Sequence, residues 1–170
     1  MEDIQTEAKQ TLQNFINRFS DFNQETINRV PFEGSWTAGQ VAEHMILANA
    51  NFAEVLNGLT EDTLRKPDEK VGVIKSILTN FDTKLDSPEF LCPLLKDYNQ
   101  HAQLKKLNEI KDEILKASAN IDLTKTCKNF ELPLLGFLTR LEAISFVIYH
   151  TQRHTLQLGN IFHTLAVETN

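Results

Sequence analysis

The amino-acid sequence predicts an all-α protein, specifically a four-helix bundle with one long crossover connection. Four long stretches repeat apolar residues at intervals of three and four, the spacing of one face of an α-helix. We recognise no alternating strand pattern, and residues 60–98 separate the second stretch from the third, as the long crossover of some bundles does. The 41% hydrophobic and 24% charged residues are typical of one globular domain, which we expect to span residues 1–170.

The first predicted helix covers residues 3–25 and is expected to be structural. Its apolar positions follow one another in steps of three and four: Ile4, Ala8, Leu12, Phe15, Phe19 and Phe22. The positions between them carry Gln, Lys, Asn and Glu, so this helix has one face for the core and one for water.

The second predicted helix follows a connection that contains proline and glycine. Thr37 and Gln40 fit a capping box, and Trp36 can pack on Val41 as a hydrophobic staple. The apolar pattern continues to an expected helix end near residues 57–58. His44 lies at the border of the apolar face, where a single histidine is more often structural than a metal ligand.

Residues 60–98 have a weaker pattern and are expected to form the crossover connection or a lid over a site. Residues 71–78 predict a short helix, whereas Pro88 and Pro93 exclude a longer one. The third long helix is predicted over residues 99–120, with alternating basic and acidic side chains on a solvated face. Residues 121–136 are expected to be a loop. Thr139 and Glu142 then form a second capping box, and the fourth helix runs to about Leu165.

Two histidines stand four residues apart in this last helix. His150 and His154 lie on an apolar stripe, so both rings are expected to face the core. A buried imidazole needs partners for both ring nitrogens, and a divalent metal would supply one partner to both rings. The alternative is two separately hydrogen-bonded core histidines. No Glu follows His150, which excludes the H-E-x-x-H zinc-protease motif, and His163 lies too far around the helix to join the pair.

The composition excludes several classes of partner. A net charge of −6 argues against nucleic acid, because phosphate binding needs a basic surface. We find no apolar run near eighteen residues and no signal peptide, so we expect a cytoplasmic protein with no membrane partner. Cys92 and Cys127 lack a C-x-x-C spacing and are expected to be reduced thiols.

The segment Ser35-Trp36-Thr37-Ala38-Gly39-Gln40-Val41-Ala42-Glu43-His44 and the histidine pair together carry a family resemblance. The first segment is similar to a tryptophan, a small hydroxyl residue and a histidine at the start of helix two of the DinB/YfiT-like superfamily. Residues 142–161 are similar to the H-x-x-x-H motif in the last helix of that family. The resemblance covers most of the chain in order and spacing, although residues 60–98 contribute little.

The resemblance implies a metal site and a class of reaction. The family's three metal ligands fall on His44, His150 and His154, with Zn²⁺ or Ni²⁺ as the expected ion, and the family fold implies a homodimer. Characterised members include enzymes that use bacillithiol or mycothiol, which implies transfer of a low-molecular-weight thiol to an electrophilic small-molecule substrate. Other members are described as putative metal-dependent hydrolases.

Three interpretations follow for this chain. In the preferred one, the metal's charge deprotonates a thiol cosubstrate, and the thiolate attacks an epoxide, a quinone or an activated antibiotic. In the second, the metal activates water for hydrolysis, with Glu43 as a candidate base. In the third, the chain is a non-catalytic metal-binding stress-response protein, or its histidines are structural. Gln157, Glu43 and Arg153 are the residues expected to support the ligands.

Overall fold

The computed structural model describes residues 3–167, which form helices and one small antiparallel sheet. The helices are α1 (Ile4–Ser20), α2 (Ala38–Asn49), α3 (Phe52–Asn57), α4 (Val71–Leu78), α5 (Gln100–Ser118) and α6 (Arg140–Val167). The strands are β1 (Thr60–Glu61), β2 (Thr126–Leu132) and β3 (Gly136–Thr139), and single 3-10 turns lie at Thr26–Asn28 and Glu89–Leu91. The prediction of a mostly helical chain is confirmed. None of the helices in residues 3–167 is long and apolar enough to cross a membrane.

The long helices pack in pairs around a shared interior. Helices α1 and α2 each contact both α5 and α6, and α4 contacts α6. The capping box predicted at Thr37 and Gln40 is present: each side chain binds the backbone N–H of the other residue, at 3.1 and 3.0 Å. Two satisfied donors at this end fix where α2 begins, and therefore where His44 stands on it.

The second predicted helix is divided in two, which the apolar periodicity did not reveal. Helix α2 ends at Asn49 and α3 begins at Phe52. The backbone of Asn51, at φ −106° and ψ 13°, leaves the α-helical region between them. Phe52 and Leu56 remain buried after the break, so the apolar pattern continues although the helix does not.

The sheet corrects the expectation that residues 121–136 form a loop and that the chain lacks strands. Strands β2 and β3 form an antiparallel hairpin, and β1 pairs with the other edge of β2. Pro133 lies in the turn, where Leu134 and Gly136 adopt left-handed φ values of 69° and 67°. From Lys128 onward the burial alternates along β2, which is the signature of a half-buried strand.

Two clusters of buried apolar side chains fill the interior. The first lies among α3, α4, the first half of α1 and the second half of α5, and the second lies mainly among α2 and the opposite halves of α1 and α5. Helix α6 serves both clusters, contributing residues up to Ile148 to the first and from Leu158 onward to the second. His150 and His154 fall in the interval between these clusters.

A buried carboxylate joins the crossover to the start of α6. Glu142 is fully buried, and Arg65 donates two hydrogen bonds to it, at 2.5 and 2.6 Å. The backbone N–H groups of Lys70 and Thr139 donate to the same carboxylate at 2.8 and 2.9 Å, and Glu142 N–H donates to the Thr139 hydroxyl. The predicted capping box is therefore present, and it is enlarged by a charge pair from the crossover.

Candidate metal centre

Three imidazoles from two helices converge on one point. His44 lies on α2, and His150 and His154 lie one turn apart on α6. The His150 Nε2 atom is 3.3 Å from His44 Nε2 and 3.0 Å from His154 Nε2. All three residues present a ring nitrogen within 4.8 Å of the other two. The chain therefore brings together the three residues that the sequence resemblance implied.

The outer nitrogens of two rings are held by hydrogen bonds. His44 Nδ1 donates to the Leu91 carbonyl at 2.9 Å, and His154 Nδ1 donates to the Gln157 side-chain carbonyl at 2.7 Å. Because a neutral imidazole carries one proton, a proton on Nδ1 leaves Nε2 as a bare acceptor. Both rings thus turn a lone pair toward the common point.

The protein's own groups cannot satisfy the hydrogen-bonding capacity of all three imidazoles. His150 Nε2 can donate one hydrogen bond, yet it faces bare nitrogens on both His44 and His154. At least one buried lone pair is left without a donor, which costs on the order of 1–3 kcal/mol. A divalent cation accepts all three lone pairs at once. In a tetrahedral zinc site with Zn–N distances of about 2.0–2.1 Å, neighbouring nitrogens lie about 3.3–3.4 Å apart, close to the spacings found here.

Burial keeps the three imidazoles uncharged. Removal from water lowers the pKa of His44, although its hydrogen bond to Leu91 opposes the shift. The pKa of His154 falls to about 3, mainly through burial and then through the neighbouring His44. Burial also lowers the pKa of His150 far below its usual value, and electrostatic repulsion between a protonated His150 and the neighbouring His154, His44 and Arg153 lowers it further. Neutral imidazole is the form that ligates metals, so the donor set fits a divalent ion.

Aromatic rings enclose the site on two sides. The Trp36 ring lies 5.3 Å from the His44 ring, and Phe146 stacks on His150 at 5.4 Å with an angle of 21° between the rings. The His150 Nδ1 atom is buried and has no hydrogen-bond partner among the described residues. Its orientation therefore depends on the stacked Phe146 ring and on the helix.

The three expected supporting residues have different positions. Gln157 contacts the centre through His154. Glu43 does not: its carboxylate accepts a hydrogen bond from Gln103 on α5 at 3.1 Å, because the residue before His44 points about 100° away on the helix. Arg153 also faces away from the imidazoles, and donates to backbone carbonyls at the end of α4 and just after it.

Sequence reasoning missed the contacts from the crossover. Leu91 supplies a carbonyl to His44, and the Ser87 hydroxyl lies 3.4 Å from the same Nδ1 atom. Every residue type has a backbone carbonyl, so the sequence contains nothing that would identify Leu91 as the acceptor. Phe146, one turn before His150, could have been recognised by its spacing on the helix.

Comparison with known proteins agrees with the site. A family model described as the DinB superfamily matches residues 7–158, a range that includes all three histidines. A search of curated proteins and a search of solved structures each gave no match.

Proposed function

The chain belongs to the DinB superfamily, and from this premise we propose that it is a metal-dependent enzyme that transfers a low-molecular-weight thiol to an electrophilic small molecule. The thiol would be of the bacillithiol type and the metal zinc or nickel. The observation that carries the proposal is the convergence of three neutral imidazole Nε2 atoms. We further propose that the paired long helices form a four-helix bundle and that two copies associate as a homodimer.

Each residue of the centre has a role in this proposal. His44, His150 and His154 hold the ion, while Leu91 and Gln157 orient two of the rings. The His₃ set leaves a coordination position for a further ligand. A bound divalent cation supplies positive charge that lowers the pKa of a ligating thiol and so favours the nucleophilic thiolate at neutral pH. The Trp36 and Phe146 rings exclude water from two sides of this space.

The reaction balances without an oxidant or a reductant. The thiol releases its proton, and the sulfur then forms a bond to an electrophilic carbon with its own electron pair. With an epoxide, the C–O bond breaks and the oxygen leaves with the electron pair of that C–O bond. The oxygen then takes up one proton from solvent, which replaces the proton that the thiol released.

One observation supports our choice of thiol transfer over hydrolysis. Activation of water benefits from a positioned general base, usually a carboxylate or a histidine. Among residues 3–167, the imidazoles of the centre hydrogen-bond to one another, to Leu91, Ser87 and Gln157, and to no carboxylate. Glu43, the candidate base, is bound to Gln103 instead. A thiol that loses its proton to solvent needs no such base.

Metal content is the first test of this proposal. We would purify the chain without a histidine tag, beside His44→Ala and His150→Ala variants, and measure zinc and nickel by elemental analysis. About one ion per chain, lost in both variants, would support the centre. If the chain takes up neither ion when each is supplied, both enzymatic interpretations are excluded.

Thiol transfer is the second test. We would incubate the loaded protein with bacillithiol, glutathione or cysteine and a chromogenic electrophile, and follow thioether formation. We expect turnover that His150→Ala abolishes and Glu43→Gln leaves unchanged. A loaded protein without turnover for any thiol would favour the non-catalytic metal-binding interpretation. Hydrolysis of an ester or amide substrate that falls with Glu43→Gln would instead favour the hydrolase.

A further inference from the structure

The connection after α4 passes over the metal centre with little burial of its own. We call residues 79–92 the strap. Between positions 80 and 90 every residue is exposed except Ser87, which is half-buried. Segments with so few buried contacts open at a low free-energy cost. The position of the strap therefore depends on a small number of polar contacts, which lie at its two ends.

Arg153 holds the first end of the strap. Its Nη1 atom donates to the carbonyls of Leu78 and Asn80, at 3.2 and 2.8 Å, and its Nη2 atom donates to the carbonyl of Thr83. The Leu78 carbonyl is one of the last in α4, where helical carbonyls have no partner within the helix. One guanidinium therefore caps α4 and fixes the direction in which the strap leaves it. Arg153 stands on α6 between His150 and His154.

His44 holds the second end. The Leu91 carbonyl accepts a hydrogen bond from His44 Nδ1 at 2.9 Å, and the last turn of the strap contacts α2. The Ser87 hydroxyl lies 3.4 Å from the same nitrogen. His44 is only 3% exposed, so the strap is the wall of the centre on the His44 side.

The contact at Leu91 depends on which nitrogen of His44 carries the proton. A metal on Nε2 requires the proton on Nδ1, and that proton is the one donated to Leu91. Without metal, the proton can move to Nε2 and face His150, and a bare Nδ1 would then oppose the carbonyl at 2.9 Å. Metal binding excludes the tautomer of His44 that carries its proton on Nε2. By linkage, a seated strap must favour metal binding to the same extent that metal favours the seated strap.

We propose that the strap closes on the metal centre when the metal binds, and that Arg153 is the positioning residue that sets its closed path. This inference rests on the metal binding of the proposed function and not on the thiol chemistry. Arg153 has no role as a substrate-binding cation in this scheme, because its guanidinium is occupied by three carbonyls. The seated strap restricts access to the ion, so the exchange of substrate and product requires it to open.

The test combines zinc affinity with hydrogen exchange. We would measure zinc binding by competition with a chromophoric chelator, and amide exchange of peptides covering residues 79–95 by mass spectrometry, with and without zinc. In the parent protein, we expect zinc to slow exchange in these peptides. In Arg153→Ala, we expect about tenfold weaker zinc binding, and strap exchange in the loaded protein close to that of the metal-free parent.

Whether the Arg153 variants bind zinc more weakly or more tightly distinguishes a positioning role of Arg153 from an effect of its charge. Removing a cation beside two metal ligands should tighten zinc binding if only electrostatics acts, whereas loss of the strap contacts weakens it. Arg153→Lys keeps the charge and loses the planar fork, so it should also weaken binding, and it replaces Arg153→Ala if that variant does not fold. Arg18→Ala removes an exposed arginine from α1 and should change neither readout.

Three outcomes would overturn the inference. The first is unchanged or tighter zinc binding in the Arg153 variants. The second is strap exchange that zinc does not slow in a loaded parent protein; in that case the proposed function still stands. The third is a parent that binds no metal, which elemental analysis identifies and which overturns the proposed function as well. Zinc-dependent protection of the strap without thiol transfer would uphold the inference while excluding the transferase.

Discussion

At the scale of single residues, the candidate metal centre consists of three histidines with unequal support. His44 and His154 each donate an orienting hydrogen bond, to the carbonyls of Leu91 and Gln157 respectively, whereas His150 Nδ1 has no partner among the described residues. Such a hydrogen bond favours the tautomer and the ring orientation that a metal requires. The loss of Gln157 should therefore weaken metal binding without disturbing the fold.

Gln157→Ala tests this support directly. We expect zinc affinity to fall about 10- to 100-fold, with an unchanged helical signal in circular dichroism. Asn160→Ala, an exposed change on the same helix, is the matched control. Equal zinc affinity in the two variants would show that Gln157 does not orient the ligand.

The ligands were more predictable from the sequence than their supports. The spacing of His150 and His154 marked one face of a helix, and the resemblance added His44, which lies 106 residues before His150. Gln157 was predictable because it lies one turn from His154 on the same helix. The Leu91 carbonyl was not, because any residue could supply it.

At the scale of elements, the start of α6 depends on a buried ion pair. Burial raises the pKa of Glu142, but the hydrogen bonds from Arg65 and from the Thr139 and Lys70 backbones outweigh it and hold the pKa below its usual value of 4.5. The folded state thus binds the proton of this carboxyl less tightly than the unfolded state does. The stabilisation from Glu142 is therefore fully present above pH 4.5 and is lost as the pH falls through the folded-state pKa.

Glu142→Gln should expose this contribution. We expect the variant to lose about 1.5–3 kcal/mol of unfolding free energy at pH 7, because Arg65 and two backbone N–H groups lose their charged acceptor. Urea unfolding of both proteins between pH 7 and pH 3 should show the difference shrinking below pH 4.5. A difference that is constant over this range would mean that the carboxylate charge is not what stabilises α6.

Two glycines offer a contrast between an open and a crowded site. A Cβ at Gly159, inside α6, would meet nothing within 4 Å, whereas a Cβ at Gly58 would lie 2.6 Å from the Asn129 side chain and 2.9 Å from the Glu54 carbonyl. Gly159→Ala should therefore stabilise the protein by about 0.5–1 kcal/mol. Gly58→Ala should destabilise it by about 1–3 kcal/mol. Thermal unfolding of both variants should show a higher melting temperature for Gly159→Ala and a lower one for Gly58→Ala. Equal changes in melting temperature would contradict the close packing around Gly58.

Elements with a clear helical period were predictable, and the others were not. Helices α5 and α6 agree with their predicted ranges because many core-facing positions repeat along each one. Helix α1 was predicted to residue 25 but ends at Ser20, because Phe22 stays buried beyond the helix end and keeps the apolar spacing. The β2–β3 hairpin was missed because β2 has seven residues and β3 has four, too few for alternation to be distinct from a loop. The break at Asn51 was missed because Phe52 and Leu56 keep the apolar spacing across it.

At the scale of the whole molecule, a metal ion would join two helices that are distant in the sequence. Because an ion bound only by the folded state stabilises it, zinc at a free concentration of 100 times its dissociation constant should add about 2.7 kcal/mol. We expect the melting temperature to rise by about 5–10 °C. His44→Ala should abolish the rise although both histidines of α6 remain. A rise that persists in this variant would place the ion elsewhere.

The connections of the chain were the least predictable part at this scale. The crossover was expected as a connection or a lid, but neither its path nor its anchors could be inferred. Its fixed points include the Arg65 pair with Glu142 and the Arg153 contacts, which join residues 77 and 70–75 positions apart. Such long-range polar pairs follow no local period.

The anchors of the strap also bear on how this protein can be altered. Three of its contacts with α6 and α2 end on main-chain oxygens, those of Asn80, Thr83 and Leu91. Every residue type provides such an oxygen, so the side chains of this segment can be exchanged while the anchors are kept. If the proposed function holds, grafting a segment of equal length and path should therefore change which substrates the protein accepts and leave its metal affinity unchanged. Substrate recognition by the strap and metal binding by the histidines could in this sense be engineered separately.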